Sequence, residues 1–150
     1  MAMPKSVTRV SKNGVKFISN VDRAQYTITE LTRAALRDSA KFIRKRAVDE
    51  IRTLPGMRRS RRPYRSTQYW VRRWENDLQV GFKHGTWYGV EQELGTNGQP
   101  ARNILRNSVY NNIDQIRRIQ GQYLSAIEDE NRAKGLIDEG EYVSPEGEES

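Results

Sequence analysis

The chain has 150 residues, enough for one domain with its own core, and carries a net charge of +7. It has no cysteine, which excludes a disulfide scaffold, a thiolate metal site and a thiol nucleophile. Hydrophobic residues make up 35% and charged residues 30%, and no apolar run approaches the roughly 20 residues that span a bilayer, so a soluble protein made in a cytoplasm is expected, with part of the chain in unpacked arms.

Residues 1–13 are polar and basic without a period, and are expected to form a flexible arm. Val15-Lys16-Phe17-Ile18, after Gly14, suits a short strand. From about 22 to 54 the spacing predicts a helix with two apolar stripes. Leu36, Ala40, Ile43, Ala47, Ile51 and Leu54 form the first; Ile28, Leu31, Ala35 and Phe42 form the second, displaced by about 130°. Pro55-Gly56 ends it, because proline cannot continue a helix and glycine accepts the reversed backbone. Some 30 residues at 1.5 Å each give about 45 Å, against about 35–40 Å for the breadth of a domain of this mass. The helix should therefore overhang its own domain or pack on another subunit. One wide buried face with a kink is the plainer alternative.

Residues 57–65 are the most basic stretch, with Arg58, Arg59, Arg61, Arg62 and Arg65 around Pro63. This reads as a loop. Forked guanidinium groups suit phosphate, and equally suit solvent or the acids of a neighbour. Residues 67–74 and 78–82 read as a hairpin about the turn Glu75-Asn76-Asp77. Trp70 and Trp74 stand on one face and Tyr69 on the other, so the aromatics serve either the core or a subunit contact. Trp87 to Leu94 is apolar and acidic, Gly95-Thr96-Asn97-Gly98 is a turn cluster, and Pro100 suits a first helical position. The helix it opens is expected to reach about 131, with Leu105, Val109, Ile113, Ile116, Ile119, Tyr123 and Ile127 on one face.

Residues 134–150 hold six acids and one base, leaving 25 bases against 13 acids in residues 1–133. A basic body with an acidic tail suits a neighbouring polyanion, or plain solubility. The expected fold class is α+β: a small antiparallel sheet, the hairpin of about 67–82, packed on two long helices of about 22–54 and 100–131. The expected division is an arm at 1–13, a single domain at 14–133 and a mobile acidic tail at 134–150.

No catalytic, cofactor or metal site emerges. His84 is the sole histidine, so no triad or histidine-ligated metal cluster can be built. Glu91 and Glu93 are two apart, which on a helix sets them about 200° from one another, and no third group stands beside them to make an acid–base pair. Glu128-Asp129-Glu130 reads as a solvated helical run. Gly95 to Gly98 lacks the lysine and following hydroxyl residue of a phosphate loop.

The block Trp87-Tyr88-Gly89-Val90-Glu91-Gln92-Glu93-Leu94-Gly95-Thr96, followed by Pro100-Ala101-Arg102-Asn103-Ile104-Leu105-Arg106, resembles a family of small neck or tail-completion proteins of tailed bacteriophages. The family pattern runs Tyr-x-x-x-Val-Glu-x-Gly-Thr, then Pro-Ala, then Pro-Phe-Leu-Arg-Pro-Ala. Tyr88, Val90, Glu91, Glu93, Gly95, Thr96, Pro100 and Leu105 carry the match, while Asn103-Ile104-Leu105-Arg106-Asn107 lacks both prolines of the last segment. The long helix, basic loop and hairpin come in matching order, so the resemblance covers about residues 22–125. It implies a virion subunit without enzymatic activity, assembled in the host cytoplasm into a ring, hexameric or dodecameric, around the DNA channel at the head–tail junction. It implies as partners copies of the chain, an adjoining head-completion or connector ring, the tail tube, and genomic DNA held without sequence reading, with no cofactor and no membrane. On this reading the arginine loop touches DNA or a neighbouring ring. Ile28, Leu31, Ala35, Phe42, Trp70 and Trp74 are then candidates for the subunit interface. The alternative is a free-standing, sequence-independent nucleic-acid-binding protein that uses the five arginines with Tyr64 and Trp70.

Overall fold

The computed structural model describes residues 2–10, 13–54, 65–72 and 74–141. The fold is α+β and is built along one helix, α1 (Val21–Thr53), whose 33 residues run about 50 Å. Ahead of it lies an antiparallel hairpin of β1 (Val7–Val10) and β2 (Lys16–Ser19), in register Val7↔Ser19 to Val10↔Lys16. After it comes the hairpin of β3 (Thr67–Arg72) and β4 (Asp77–Phe82), paired Thr67↔Phe82 to Arg72↔Asp77. Four shorter helices follow: α2 (Trp87–Leu94), α3 (Ile104–Tyr110), α4 (Ile113–Leu124) and α5 (Glu130–Glu141).

Two hydrophobic clusters sit at different heights along α1. Near its start, Leu31, Ala34 and Ala35 pack with Tyr123 and Ala126 and with Ala133 and Ile137 of α5. Small side chains on both partners allow close approach, and the Tyr123 hydroxyl donates to the Asp38 carboxylate. Near its end, Ala47 and Ile51 pack with Ile104, with Phe82, Leu54 and Leu105 at the margin. The β3–β4 hairpin is held to α1 by Arg44 Nε, which donates to the Thr67 carbonyl at 2.8 Å. At its turn Asn76 takes φ +49°, and Arg72 pairs with Asp77 across the strand ends, holding the Asp77 carboxyl below its usual range.

Four expectations are corrected. The arm at 1–13 contains β1, closed by an Asn13-Gly14 turn in which Gly14 takes φ +76°; Asn-Gly between apolar runs is itself a hairpin signal. The helix expected over 100–131 is interrupted twice. At Asn111-Asn112 the Asn112 side-chain amide donates to the Ser108 carbonyl at 3.0 Å, competing with the helical ladder. Around residues 125–129 the chain turns, and α5 begins where the Asp129 carboxylate accepts the N–H groups of Asn131 and Arg132 at 2.9 and 3.2 Å. Asp129 is thus a helix cap, not a member of a solvated run. The stretch expected as a mobile tail from 134 is helical to Glu141 and carries Ile137 into the core, while residues 142–150 lie outside the described residues. The interruptions also shift the buried face of α3 from Leu105 and Val109 to Ile104 and Ser108.

The second stripe of α1 divides. Leu31 and Ala35 are covered by the chain's own α4 and α5 and so cannot form a subunit interface; Ile28 stays exposed, and Phe42 is half-buried beneath the Arg46 guanidinium, 5.2 Å from its ring centroid. Leu31→Ala should therefore cost about 2–5 kcal/mol in urea denaturation. Ile28→Ala, three residues away, should stay within about 0.5 kcal/mol. Equal costs at the two positions would contradict the covering of α1 by α4 and α5.

Candidate functional site

The residues that carry the phage-like pattern form one hydrogen-bonded unit. α2 ends at Gly95, which takes φ +79° and donates to the Glu91 carbonyl at 2.8 Å. A Cβ there would lie 2.7 Å from the Ala101 nitrogen and 2.9 Å from the Gln99 carbonyl oxygen, so both conformation and space demand glycine. Thr96 and Gln99 then exchange two backbone hydrogen bonds, at 2.8 and 3.1 Å, closing a four-residue turn. The chain runs back along α2: Arg102 N–H donates to the Gln92 carbonyl at 2.9 Å and Asn103 N–H to the Glu93 carbonyl at 3.2 Å. The Gln99 side-chain amide donates to Gln92 Oε1 at 2.8 Å.

Glu93 supplies what holds this loop to the next helix. Its carboxylate accepts the N–H of Leu105 at 2.9 Å and that of Arg106 at 3.1 Å. Those donors open α3 and have no partner within the helix, and a negative charge at a helix start is favoured by the aligned peptide dipoles. Asn103, ahead of them, sits in the left-handed region at φ +49°. The Pro100 segment is therefore spent on the return loop, and the helix starts at Ile104. Gly89, buried in α2, brings the helix close to the sheet. A Cβ there would come within 2.8 Å of the Phe82 ring, so the α2 backbone lies directly on that side chain at the end of β4.

This unit packs against the end of α1, where Glu50 faces Glu93. Burial, and then the nearby Glu93 charge, raise the Glu50 carboxyl above its ordinary value of 4.5.

Leu105 packs at the margin of the cluster around Ala47 and Ile51, and Glu91 is half-buried. Trp87, Val90 and Leu94, at i, i+3 and i+7, make an exposed apolar stripe on α2. Tyr88 is half-buried and meets Trp87 edge-on at 5.7 Å between centroids, and Pro100 is exposed. Of the other candidates, Trp70 and Trp74 are exposed on the β3–β4 hairpin. Arg65 is exposed, while Arg58, Arg59, Arg61, Arg62 and Tyr64 lie outside the described residues. The pattern residues and the aromatic hairpin therefore do not converge on one pocket. Two shallow grooves flank α1 near its start: one of about 220 Å³ includes Arg23, Ile28 and Glu130, and one of about 350 Å³ includes Glu30, Arg33 and Trp74. Among the described residues no group of three His, Cys, Asp or Glu side chains is placed to hold a metal ion, and no helix is long and apolar enough to cross a membrane.

Sequence reasoning missed the hairpin at 7–19 and the capping role of Glu93. The first was signalled by Asn13-Gly14. The second depends on a contact across 12 residues, which no local rule reveals. Comparison with family models, curated proteins and solved structures finds no match.

Glu93→Ala should cost about 1 kcal/mol through the lost cap. The cost should be larger in a Glu50→Gln background, where relief of the Glu50–Glu93 repulsion no longer offsets it. Equal costs in both backgrounds would contradict the proximity of the two carboxylates.

The raised Glu50 carboxyl penalises its ionised form in the folded state. That penalty is absent well below pH 4.5, grows as pH rises above it, and reaches its full size once pH passes the elevated value. Glu50→Gln should accordingly raise the thermal midpoint at pH 7 and leave it unchanged at about pH 4. A stabilisation that persists undiminished in acid would rule out ionisation as its source.

Proposed function

We propose that this chain is a structural subunit of a tailed-phage virion, closing with copies of itself into a ring at the head–tail junction around the path of the DNA. One observation carries the reading: large apolar side chains stay exposed in groups on several elements. Phe17 is 62% exposed, Trp74 84%, Trp87 67% and Leu94 71%. Scattered single cases are ordinary, but grouped ones mark surfaces that bind another protein. They fall on separate elements, the β1–β2 hairpin, the end of the β3–β4 hairpin and α2. Different patches on one chain suit a head-to-tail contact, the kind that closes into rings.

The sequence resemblance supplies the setting. The Glu93–Gly95–Thr96 loop, the pattern's most specific part, shapes a rigid platform under the apolar stripe of α2 and contains no reacting group. That suits an assembly role over catalysis. The excess of basic residues in 1–133 suits a subunit whose ring encloses DNA and contacts phosphate without reading bases. Head-completion or connector proteins on one side and tail-tube proteins on the other are the neighbours this role requires.

Mass measurement tests the proposal, on the purified chain and on the chain extracted from particles. A discrete multiple of the 17.4 kDa subunit mass is expected. A strict monomer in both settings, combined with DNA binding that weakens steeply with salt, would favour the free-standing nucleic-acid-binding protein instead.

A further inference from the structure

The β1–β2 hairpin is an unusual object for a finished fold. Its pairing puts Val7, Arg9 and Phe17 on one face and Thr8, Val10, Lys16 and Ile18 on the other. Both faces are exposed, and each carries two large apolar side chains and a base. A lone two-stranded hairpin is marginal in water, so this one gains most of its stability from whatever covers it. Residues 1–20 contain four bases and no acid.

The complementary surface is on the same chain, at the other end. The stripe Trp87, Val90 and Leu94 is exposed, and residues 84–101 contain neither lysine nor arginine; of their two acids, Glu93 caps α3 and Glu91 lies beside the stripe, between Trp87 and Leu94 on the helix surface. The two surfaces cannot meet within one subunit. β2 runs into α1 through Asn20 alone, whereas α2 rests on Phe82, which packs beside Ala47 and Ile51. The interval from Val21 to those residues is about 40–45 Å along the helix, and a four-residue strand reaches about 13 Å.

We infer that the basic β1–β2 hairpin of one copy docks on the acidic, apolar face of α2 of the next copy, so that α1 is the spacer separating the two halves of a head-to-tail contact. This rests on the ring reading above and identifies the surfaces that build the ring. It also gives the length of α1 a role, since it sets the distance between the two contact surfaces of one copy.

Two full-length variants test it. Phe17→Lys with Ile18→Lys disables the hairpin, and Val90→Lys with Leu94→Lys disables the α2 face. All four positions are exposed, so both variants should keep the wild-type circular dichroism and thermal midpoint. Each alone should be monomeric, with the contact weakened roughly ten- to hundredfold. Mixed at high micromolar concentration they should form a dimer and nothing larger, because one intact hairpin meets one intact α2 face and both remaining surfaces are blocked. If either variant alone assembles as wild type does, the ring reading stands and this interface is wrong. Monomeric variants that give no mixed dimer also overturn the interface. A wild type that is monomeric under the same conditions and in particles overturns both.

Discussion

The structure depends on the length of α1. A helix of about 50 Å is too long to be wrapped by the rest of a 150-residue chain, so each remaining element covers only part of it. α4 and α5 cover the region around Leu31 and Ala35, while β4 and α3 cover the region around Ala47 and Ile51. The two clusters are distinct, and Ser39, Ala40 and Ile43 stay buried along α1 between them. The β1–β2 hairpin is left projecting from one end, and α2 is left facing outward at the other. What looks like poor burial is the direct consequence of spreading one domain's apolar residues along a rod.

This accounts for what could be read from the sequence and what could not. α1 was legible because a 3.6-residue period over 33 residues is a strong local signal, and the β3–β4 hairpin because Leu78, Val80 and Phe82 alternate beside a turn. Which stripe of α1 would be free was not legible. Leu31 and Ala35 are claimed by Ala133 and Ile137, about a hundred residues away in the chain, and those lie in a segment whose acidity and glycines suggested a tail. The broken second helix was misread for a different reason. Its apolar period continues almost unchanged through Asn111-Asn112, and only the side-chain competition of Asn112 for the Ser108 carbonyl ends the helix there.

The phage-like pattern acquires a physical meaning in this setting. Glycine at 95 is required by its positive φ and by the backbone 2.7 Å from where a Cβ would sit. Glu93 is required by two orphan amides at the start of α3. These demands concern the making of a stiff corner between two helices, and they would hold in any protein using that corner, whatever its role. The pattern residues are thus accounted for by local structure and specify no activity. Function has to lie in the surface that the corner presents.

That surface also sets the energy scale of the proposed assembly. Covering Phe17, Ile18, Trp87 and Leu94 gathers roughly 6–12 kcal/mol before any costs, and fixing two free subunits together costs roughly 4–15 kcal/mol. A single head-to-tail pair is thus weak, with a dissociation constant no tighter than about 1 μM. Closure changes the balance, because the last subunit in a ring makes two contacts while losing its freedom once. Open chains stay sparse and complete rings dominate, provided the contact's rotation divides the circle. In the proposed role, marginal pairing would prevent runaway filaments from an exposed hairpin and let an adjoining ring of matching symmetry select the circle that fits.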